Sequence, residues 1–355
     1  MSSSFWSLAS AASLLAALPS ALAGFNGGSH KNIAVYWVFP KDKTLLDREA
    51  GQMSSRAWHI TARIIPIAFM NGISPPITNF ANAGDKCDKF PGNSNLLKCP
   101  EIEPSPNAIL VHSITVKIAI LTGIIVQLDR KDIKTCQTKF KKTIVLSLGG
   151  ATYSQGGWSS TQDAEKAAQS VWDMFGPVPS GSKVDRPFGS AVVDGFDFDF
   201  ESTTNNLPAV GAKLRSLMDG AGGKKFYLTA APQCVFPDAA VGSALQAVAF
   251  DFIMIQFYNN WCGVSNFKPG SDTQDAFNFD VWDKWAKGSK NPNVKLLLGI
   301  PANKGAGGGY TNGEKLKAVI AYSKKFTSFG GVMMWDMSQL YANEGFLGEV
   351  VSDLA

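Results

Sequence analysis

Histidine is scarce in this chain and its cysteines are never closely paired, which argues against a zinc site. The 355 residues include only three histidines and five cysteines, and no histidine lies beside a cysteine. No CxxC pair occurs. Because structural zinc sites need closely spaced thiolate and imidazole ligands, we predict that the protein contains no metal and needs no cofactor.

A cluster of basic residues is also missing. The net charge is only +4, the pI is near 8.7, and charged residues make up 17% of the chain. Without a basic cluster, nucleic acid is not an expected partner. Glycine, by contrast, is abundant at 34 residues. This composition is typical of a compact secreted protein rather than a disordered one.

Residues 1–23 lack any acidic residue and end in a small-x-small pattern, Ala21-Leu-Ala23. A short apolar run precedes this pattern, as in a secretory signal peptide. No lysine or arginine comes before the run. An N-terminal membrane anchor is the alternative, but the run is short for a membrane span. We therefore predict a cleaved signal peptide over 1–23, a secreted extracellular protein without membrane association, and disulfides among the cysteines.

Four carboxylates within eight residues form the most informative segment, Asp194-Gly-Phe-Asp-Phe-Asp-Phe-Glu201. Side chains alternate in a strand, so Asp197, Asp199 and Glu201 share one face and three phenylalanines take the other. Acids spaced ~6.6 Å apart along one face repel when ionised. We expect at least one to hold a proton at neutral pH, as a general acid must. A metal site or a solvated acidic edge is the alternative, but an edge would not place phenylalanines behind it.

Short β-branched and aromatic runs alternate with helical patterns along the chain. The predicted strands are 33–37, 64–69, 143–148, 195–201, 226–231, 252–258, 295–300 and 331–336. The predicted helices include 161–175, 208–221, 240–249, 281–288 and 313–326. This alternation predicts an α/β protein with a single-domain (β/α)8 TIM barrel over 24–355. A doubly wound sheet is the alternative, but no GxGxxG motif follows the first strand.

One segment does not fit the predicted barrel, namely residues 104–131, PSPNAILVHSITVKIAILTGIIVQLDRK. Its apolar part is long enough to span a membrane, but His112 and Lys117 lie within it. Its β-branched residues also fit a strand pair or buried hairpin. The interpretation we favour is translated non-coding sequence from an incorrect gene structure.

The acidic motif and four further segments resemble glycoside hydrolase family 18, in its class III branch of secreted endochitinases. The segments agree in chain order: SLGG at 147–150, YLTAAPQC at 227–234, QFYNN at 256–260 and GVMMWD at 331–336. From residue 132 to the C-terminus the resemblance is close to continuous. It is patchy over 33–103 and absent over 104–131.

The resemblance implies a retaining chitinase with substrate-assisted chemistry. Glu201 is then the general acid that protonates the glycosidic oxygen. An ordinary retaining enzyme also needs a carboxylate nucleophile about 5–5.5 Å away, and Asp199, on the same strand, is badly placed to attack. In the family, the acetamido oxygen of the substrate attacks instead. Asp199 then holds the acetamido N–H, Tyr258 donates to the acetamido oxygen, and Asp197 shares a proton with Asp199.

Four further residues are implied to bind the sugar. Trp335 would form the floor beneath it, because an aromatic face suits the apolar face of a pyranose. Gln256 would contact the substrate, and Tyr36 and Phe69 would surround the acetamido group. Packing in the core is the alternative interpretation of all three aromatic residues. The position of Trp335 at the end of a predicted barrel strand favours binding.

The resemblance also implies the disulfides Cys87–Cys99 and Cys234–Cys262, with Cys136 left over. Related proteins have Gly-Gln-Asn after the first strand, where it contributes to distal sugar subsites. Here Val38-Phe39-Pro40 occupies that place. We therefore expect the outer subsites, over 38–62, to differ from those of the family.

We expect a monomeric enzyme that hydrolyses β-1,4 linkages in chitin or N-acetylglucosamine oligosaccharides. An endo-β-N-acetylglucosaminidase acting on N-glycans shares the acidic motif, but the matches at 227–234 and 256–260 favour chitin. A non-catalytic chitin-binding lectin or inactive barrel is the remaining alternative. Such relatives usually lose the acid, whereas Glu201 is present.

Overall fold

The computed structural model describes residues 24–38, 61–80, 87–99 and 130–355. The predicted signal peptide at 1–23 lies outside these residues. So do residues 39–60 of the stretch that departs from the family and residues 104–129 of the atypical segment.

Eight parallel strands close into a barrel, which confirms the predicted fold. Their order around the barrel is β1-β12-β11-β10-β9-β8-β7-β2. The first strand of the chain pairs with the last, with Asn32 opposite Gly331. The barrel strands are β1 (Asn32–Val35), β2 (Ile64–Met70), β7 (Thr143–Gly149), β8 (Gly195–Asp199), β9 (Tyr227–Ala230), β10 (Phe252–Gln256), β11 (Lys295–Pro301) and β12 (Phe329–Trp335).

Four barrel strands, β1, β8, β9 and β10, are shorter than their sequence patterns predict, and two of these differences affect the site. The acidic strand β8 ends at Asp199 rather than at Glu201, because its neighbour β7 ends at Gly149, which is paired with Asp199. Strand β10 likewise ends at Gln256 rather than at Tyr258. Glu201 and Tyr258 therefore lie just beyond the barrel ladder, at its carboxyl-terminal mouth.

Helices of the described residues follow most of the barrel strands. Their bounds are α1 (Arg130–Thr138), α2 (Thr161–Phe175), α3 (Leu207–Gly220), α4 (Gly242–Ala247), α5 (Phe279–Gly288), α6 (Gly313–Ser323), α7 (Met337–Tyr341) and α8 (Phe346–Leu354). Helix α2 has the predicted bounds because Ser160 caps it: the Ser160 hydroxyl accepts a bond from the backbone N–H of Asp163. No helix in the described part of the chain is long and apolar enough to cross a membrane.

Two small antiparallel sheets and two disulfides lie outside the barrel ladder. Strands β3 (Gly72–Ile73) and β4 (Pro76–Ile77) form one sheet, and β5 (Asp88–Phe90) and β6 (Asn93–Lys98) form the other. The bridges Cys87–Cys99 and Cys234–Cys262 are those that the resemblance implied. Cys136 lies buried in α1.

The alternation predicted for the acidic strand is confirmed by burial. Phe196, Phe198 and Phe200 lie fully buried in the layer between barrel and helices. There Phe198 packs so close to helix α3 that a Cβ at Gly211 would lie 3.3 Å from its ring. The aspartates of β8 point to the opposite side, into the barrel. One strand thus carries its apolar anchors on one face and its acids on the other.

Gly195, the first residue of β8, allows the acidic strand to approach its neighbour. A Cβ there would lie 1.9 Å from the carbonyl oxygen of Tyr227. We expect Gly195→Ala to destabilise the protein by about 1–3 kcal/mol or more, measured as a lower melting temperature. Gly220→Ala, at the end of α3, is the matched control, because its Cβ meets nothing within 4 Å. Equal melting temperatures for the two variants would contradict this explanation.

Candidate active site

Three of the four acids of the motif, Asp197, Asp199 and Glu201, lie successively further from the barrel interior and nearer to its mouth. Asp197 is fully buried and Asp199 is 3% exposed, whereas the side chain of Glu201 is exposed. This gradient follows from their positions along β8, since later residues of a barrel strand lie nearer the carboxyl-terminal face. The acid that is accessible to a large substrate is therefore Glu201.

Asp197 is held by three hydroxyl groups. Tyr36 Oη and Ser147 Oγ each donate to its Oδ2 at 2.7 Å, and Thr229 Oγ1 donates to its Oδ1 at 2.7 Å. Ser147 and Thr229 lie opposite Asp197 in the registers of β7 and β9. Each of these side-chain hydrogen bonds joins Asp197 to a hydroxyl group, and none joins it to Asp199. The sharing of a proton between Asp197 and Asp199 therefore stays a prediction.

Asp199 is oriented by Gln256. The side-chain amide of Gln256 donates to Asp199 Oδ1 at 2.9 Å and to the backbone oxygen of Ala231 at 3.0 Å. Its backbone N–H also bonds to the oxygen of Pro232. Gln256 is therefore fixed from two sides, and the structure gives it a contact with an acid that the resemblance did not imply.

Burial and neighbouring charge raise the pKa values of the acids. The pKa of Asp199 is raised well above its ordinary value, chiefly by desolvation and then by the negative charges of Glu201, Asp197 and Asp238. Desolvation, followed by the charge of Asp238, also raises the pKa of Glu201. Desolvation raises the pKa of Asp197 too, although its three hydroxyl donors oppose the shift. These directions are those expected of three acids on one strand face.

Asp238 belongs to the site although the motif analysis did not single it out. Its carboxylate accepts backbone N–H bonds from Gln233 at 2.9 Å, Ala240 at 2.8 Å and Val241 at 2.7 Å. These bonds fix a negative charge in the loop after β9, close enough to raise the pKa of Glu201. An aspartate that follows proline and precedes a helix is a common turn and cap signal. That signal predicts the local bonds but not the proximity to Glu201.

Tyr258 lies near the two outer acids. Its side chain is 5% exposed. Its pKa is raised well above the ordinary value by desolvation and by the charges of Asp199, Glu201 and Asp336. The Tyr258 side chain therefore keeps its hydroxyl proton and can donate a hydrogen bond.

Trp335, Phe69 and Tyr36 form an aromatic group at the mouth. The ring of Trp335 stacks on Phe69 with centroids 5.9 Å apart, and its centroid lies 5.4 Å from that of Tyr36. Trp335 is half-buried and keeps part of its surface free, whereas Tyr36 and Phe69 are buried. Tyr36 and Phe69 thus pack in the barrel interior and support Trp335.

Gly149 and Gly150 leave the space that the backbone of Asp199 and the ring of Phe69 occupy. Gly149 has φ +109°, and a Cβ there would lie 2.8 Å from the carbonyl oxygen of Asp199. Gly150 has φ +78°, and a Cβ there would lie 2.8 Å from the ring of Phe69. Both positions combine a left-handed backbone with close contact, so only glycine fits.

Asp194 and Asp336, two further acids near the site, bond to backbone or lysine groups of the fold. Asp194 accepts from the backbone N–H of Ile144 at 2.8 Å and pairs with Lys224 at 2.7 Å. Asp336 caps helix α7 by accepting from the backbone N–H of Gln339. In the described ranges no three histidine, cysteine or acidic side chains are placed to hold a metal ion. The metal interpretation of the motif therefore gains no support from the geometry.

A family model and two similar proteins agree on the family to which this chain belongs. The sequence model described as "Glycosyl hydrolases family 18" matches residues 125–307. "Endochitinase 33" of Trichoderma harzianum is 56% identical to this chain, over 98% of this chain and 99% of its own length. "Class III chitinase" of Arthroderma benhamiae is 44% identical, over 99% of this chain and 94% of its own length.

Solved structures with the same fold have different described roles. The ICChI chitinase from Ipomoea carnea is 27% identical, covers 91% of this chain and 99% of its own, and superposes with a TM-score of 0.63. The xylanase and alpha-amylase inhibitor protein XAIP-II from Scadoxus multiflorus is 26% identical, covers 91% of this chain and 98% of its own, and superposes with a TM-score of 0.64. The fold alone therefore does not separate an enzyme from an inhibitor.

The raised pKa of Asp199 has a consequence for stability. A carboxyl whose pKa is higher in the folded state stabilises that state at low pH, and this stability is lost as pH rises through the folded pKa. We therefore expect Asp199→Asn, which removes the buried charge, to raise the melting temperature at pH 8 and to change it little at pH 4.

Asp194→Asn is the matched control from the same motif. It removes the ion pair with Lys224, so it should lower the melting temperature at pH 8. An equal loss of stability at pH 4 and pH 8 in Asp199→Asn would contradict the assignment of a costly buried charge.

Proposed function

The chain belongs to the glycosyl hydrolases of family 18 and is a chitinase, and we propose that it is secreted and cleaves β-1,4 linkages between N-acetylglucosamine units with retention. The observation that carries this mechanism is the pairing of a buried acid, Asp199, at the end of β8 with an accessible acid, Glu201, just beyond it. The substrates are chitin and its oligosaccharides, and the enzyme acts as a monomer. Its two disulfides support secretion.

Glu201 acts first as acid and then as base. Its raised pKa keeps the proton available nearer neutral pH, as general acid catalysis requires. It gives this proton to the glycosidic oxygen while the bond between that oxygen and the anomeric carbon breaks. Glu201, now ionised, later takes a proton from the water that attacks the anomeric carbon and displaces the acetamido oxygen bonded to it in the intermediate. The same residue is thus restored to its starting state.

The nucleophile is the acetamido oxygen of the substrate. Asp199 is buried and bonded to Gln256, which suits it to hold a group rather than to attack a carbon. The acetamido oxygen bonds to the anomeric carbon and forms a positively charged oxazolinium ion. Asp199 accepts the acetamido N–H and stabilises that charge, while Tyr258 donates its hydroxyl to the acetamido oxygen. Asp197, which lies deeper in the barrel, does not touch the substrate in this proposal. Its negative charge raises the pKa of Asp199.

The sugar that carries the acetamide rests on Trp335. The free part of the indole face offers the apolar contact that a pyranose ring prefers. Tyr36 and Phe69 hold this indole in place through their ring contacts. Gln256 is proposed to contact the sugar while it orients Asp199.

A non-catalytic barrel is the second candidate, because an inhibitor protein shares the fold. The presence of Glu201, with an accessible side chain and a raised pKa, favours catalysis. An endo-β-N-acetylglucosaminidase would use the same acids, so only assays on N-glycans and on chitin oligosaccharides separate the two activities.

Replacing the proposed acid tests catalysis directly. We expect Glu201→Gln to lower kcat by about 10²–10⁴-fold or more, because the amide cannot deliver a proton. Binding of a chitin oligosaccharide, measured by calorimetry, should remain nearly intact. Glu165→Gln, at an exposed position of α2, is the control and should behave as the unmodified enzyme. Near-normal turnover by Glu201→Gln would show that another group is the acid.

Substrate assistance requires an acetyl group on the sugar beside the cleaved bond. We therefore expect fully deacetylated chitosan to be nearly inert and cellulose to remain uncut, since both lack the internal nucleophile. The anomeric centre is inverted twice, so the first product should be the β anomer, as a proton NMR time course on a chitin oligomer can show. An initial α product, or equal rates on chitosan and chitin, would exclude this mechanism.

A further inference from the structure

Two exposed aromatic side chains flank the Cys234–Cys262 disulfide. Among the described residues the exposed large hydrophobic side chains are Val178, Val184, Phe236, Trp261 and Val281. Only Phe236 and Trp261 are aromatic, and they are 37% and 57% exposed. We call this pair the aromatic rim. An exposed tryptophan is an uncommon feature on a protein surface and often marks a binding site.

Trp261 lies close to the proposed catalytic groups. It follows Tyr258 by three residues, so their Cα atoms are at most ~11 Å apart. Its loop is well fixed: Asn266 Nδ2 donates to the backbone oxygen of Trp261 at 2.8 Å, and the N–H of Val264 bonds to the oxygen of Phe257 at 2.9 Å. The backbone that carries the indole is therefore fixed just beyond β10 rather than on a loose loop.

Phe236 is fixed to the same surface. Its ring packs edge-to-face on Trp282 with centroids 5.0 Å apart, and the indole N–H of Trp282 donates to the oxygen of Cys234 at 3.0 Å. The loops that carry Phe236 and Trp261 are joined by the disulfide. Asn260 Nδ2 also donates to Gln233 Oε1 at 3.2 Å. The rim thus belongs to one cross-linked pair of loops, those after β9 and β10.

The barrel order places this rim between the sugar floor and the acid, because β9 lies one place from β8 and β10 lies two places from both β8 and β12. Trp335, Tyr36 and Phe69 come from β12, β1 and β2, or the residue that follows, and these three strands are neighbours. Glu201 follows β8, four places from β12 and directly across the barrel. A sugar on Trp335 therefore has its leaving group near Glu201. A leaving unit that continues from β8 along β9 and β10 reaches the rim.

We propose that Trp261, with Phe236 beside it, binds the N-acetylglucosamine units on the reducing-end side of the cleaved bond. This inference rests on the proposed function and adds the residues that hold the leaving part of the substrate. The indole offers an apolar face for stacking on a sugar, and its exposure means that no core packing is lost when it binds. Such binding is equal in ground state and transition state, so it acts on KM rather than on kcat.

The test compares Trp261→Ala, Trp261→Phe, Phe236→Ala and the control Val281→Ala, a substitution at an exposed position of α5. The substrates are a chitin hexamer labelled at its reducing end and an aryl chitobioside, whose leaving group is an aryl ring. We expect Trp261→Ala to raise KM for the hexamer about tenfold with little change in kcat. Phe236→Ala should have a smaller effect, Trp261→Phe should restore part of the affinity, and Val281→Ala should change nothing.

The cleavage pattern gives a second readout, which would not change if Trp261 had only a structural role. Loss of binding on the reducing-end side should shift the cut of the hexamer towards the labelled end, while kcat/KM for the aryl chitobioside stays close to that of the unmodified enzyme. An unchanged KM and cleavage pattern in Trp261→Ala would overturn the inference, as would equal losses on both substrates or a lowered melting temperature. If the unmodified protein cut neither substrate, the proposed function itself would be wrong and the inference would fall with it.

Discussion

The burial of Asp197 inside the barrel is the constraint on which the site depends. A buried carboxyl group is stable only when hydrogen bonds satisfy it, and here the donors are Tyr36, Ser147 and Thr229. They come from three different positions around the barrel, so the donors meet only when the sheet is closed and in register. The catalytic strand is thereby fixed at its deepest acid, and the positions of the outer acids follow from the rise of the strand.

The acids that the proposed reaction needs also lower the stability of the folded protein. Asp197 and Asp199 share one face of β8, Glu201 follows just beyond it, Asp238 adds a fixed charge, and burial raises the pKa of Asp197, Asp199 and Glu201. A barrel lined only with apolar side chains would avoid this repulsion. The phenylalanines on the reverse face of β8 offset part of it, because each buries a large apolar surface against the helices. The free energy gained by burying apolar side chains on one face thus offsets part of the cost of the acids on the other.

Much of this arrangement could be predicted from the sequence, because alternation and strand–helix spacing are local signals. The barrel, the bounds of α2 and the opposite faces of the acidic strand all followed from such patterns. The contacts of Thr229 and Asp238 could not be found in this way. Thr229 reaches Asp197 through the register between two strands, and Asp238 approaches Glu201 through the path of a loop. The ends of β8 and β10 depend on where neighbouring strands end, which is likewise not a local property.

The pairing of the first barrel strand with the last has a consequence for how the enzyme is made. Tyr36 follows β1, whereas Trp335 ends β12, and the two strands are hydrogen-bonded neighbours. The donor to Asp197 and the floor of the sugar site thus come from opposite ends of the chain. Contacts between such distant residues form late in folding. A nascent chain therefore contains the four acids of the motif long before it contains Trp335 and the strand that carries it.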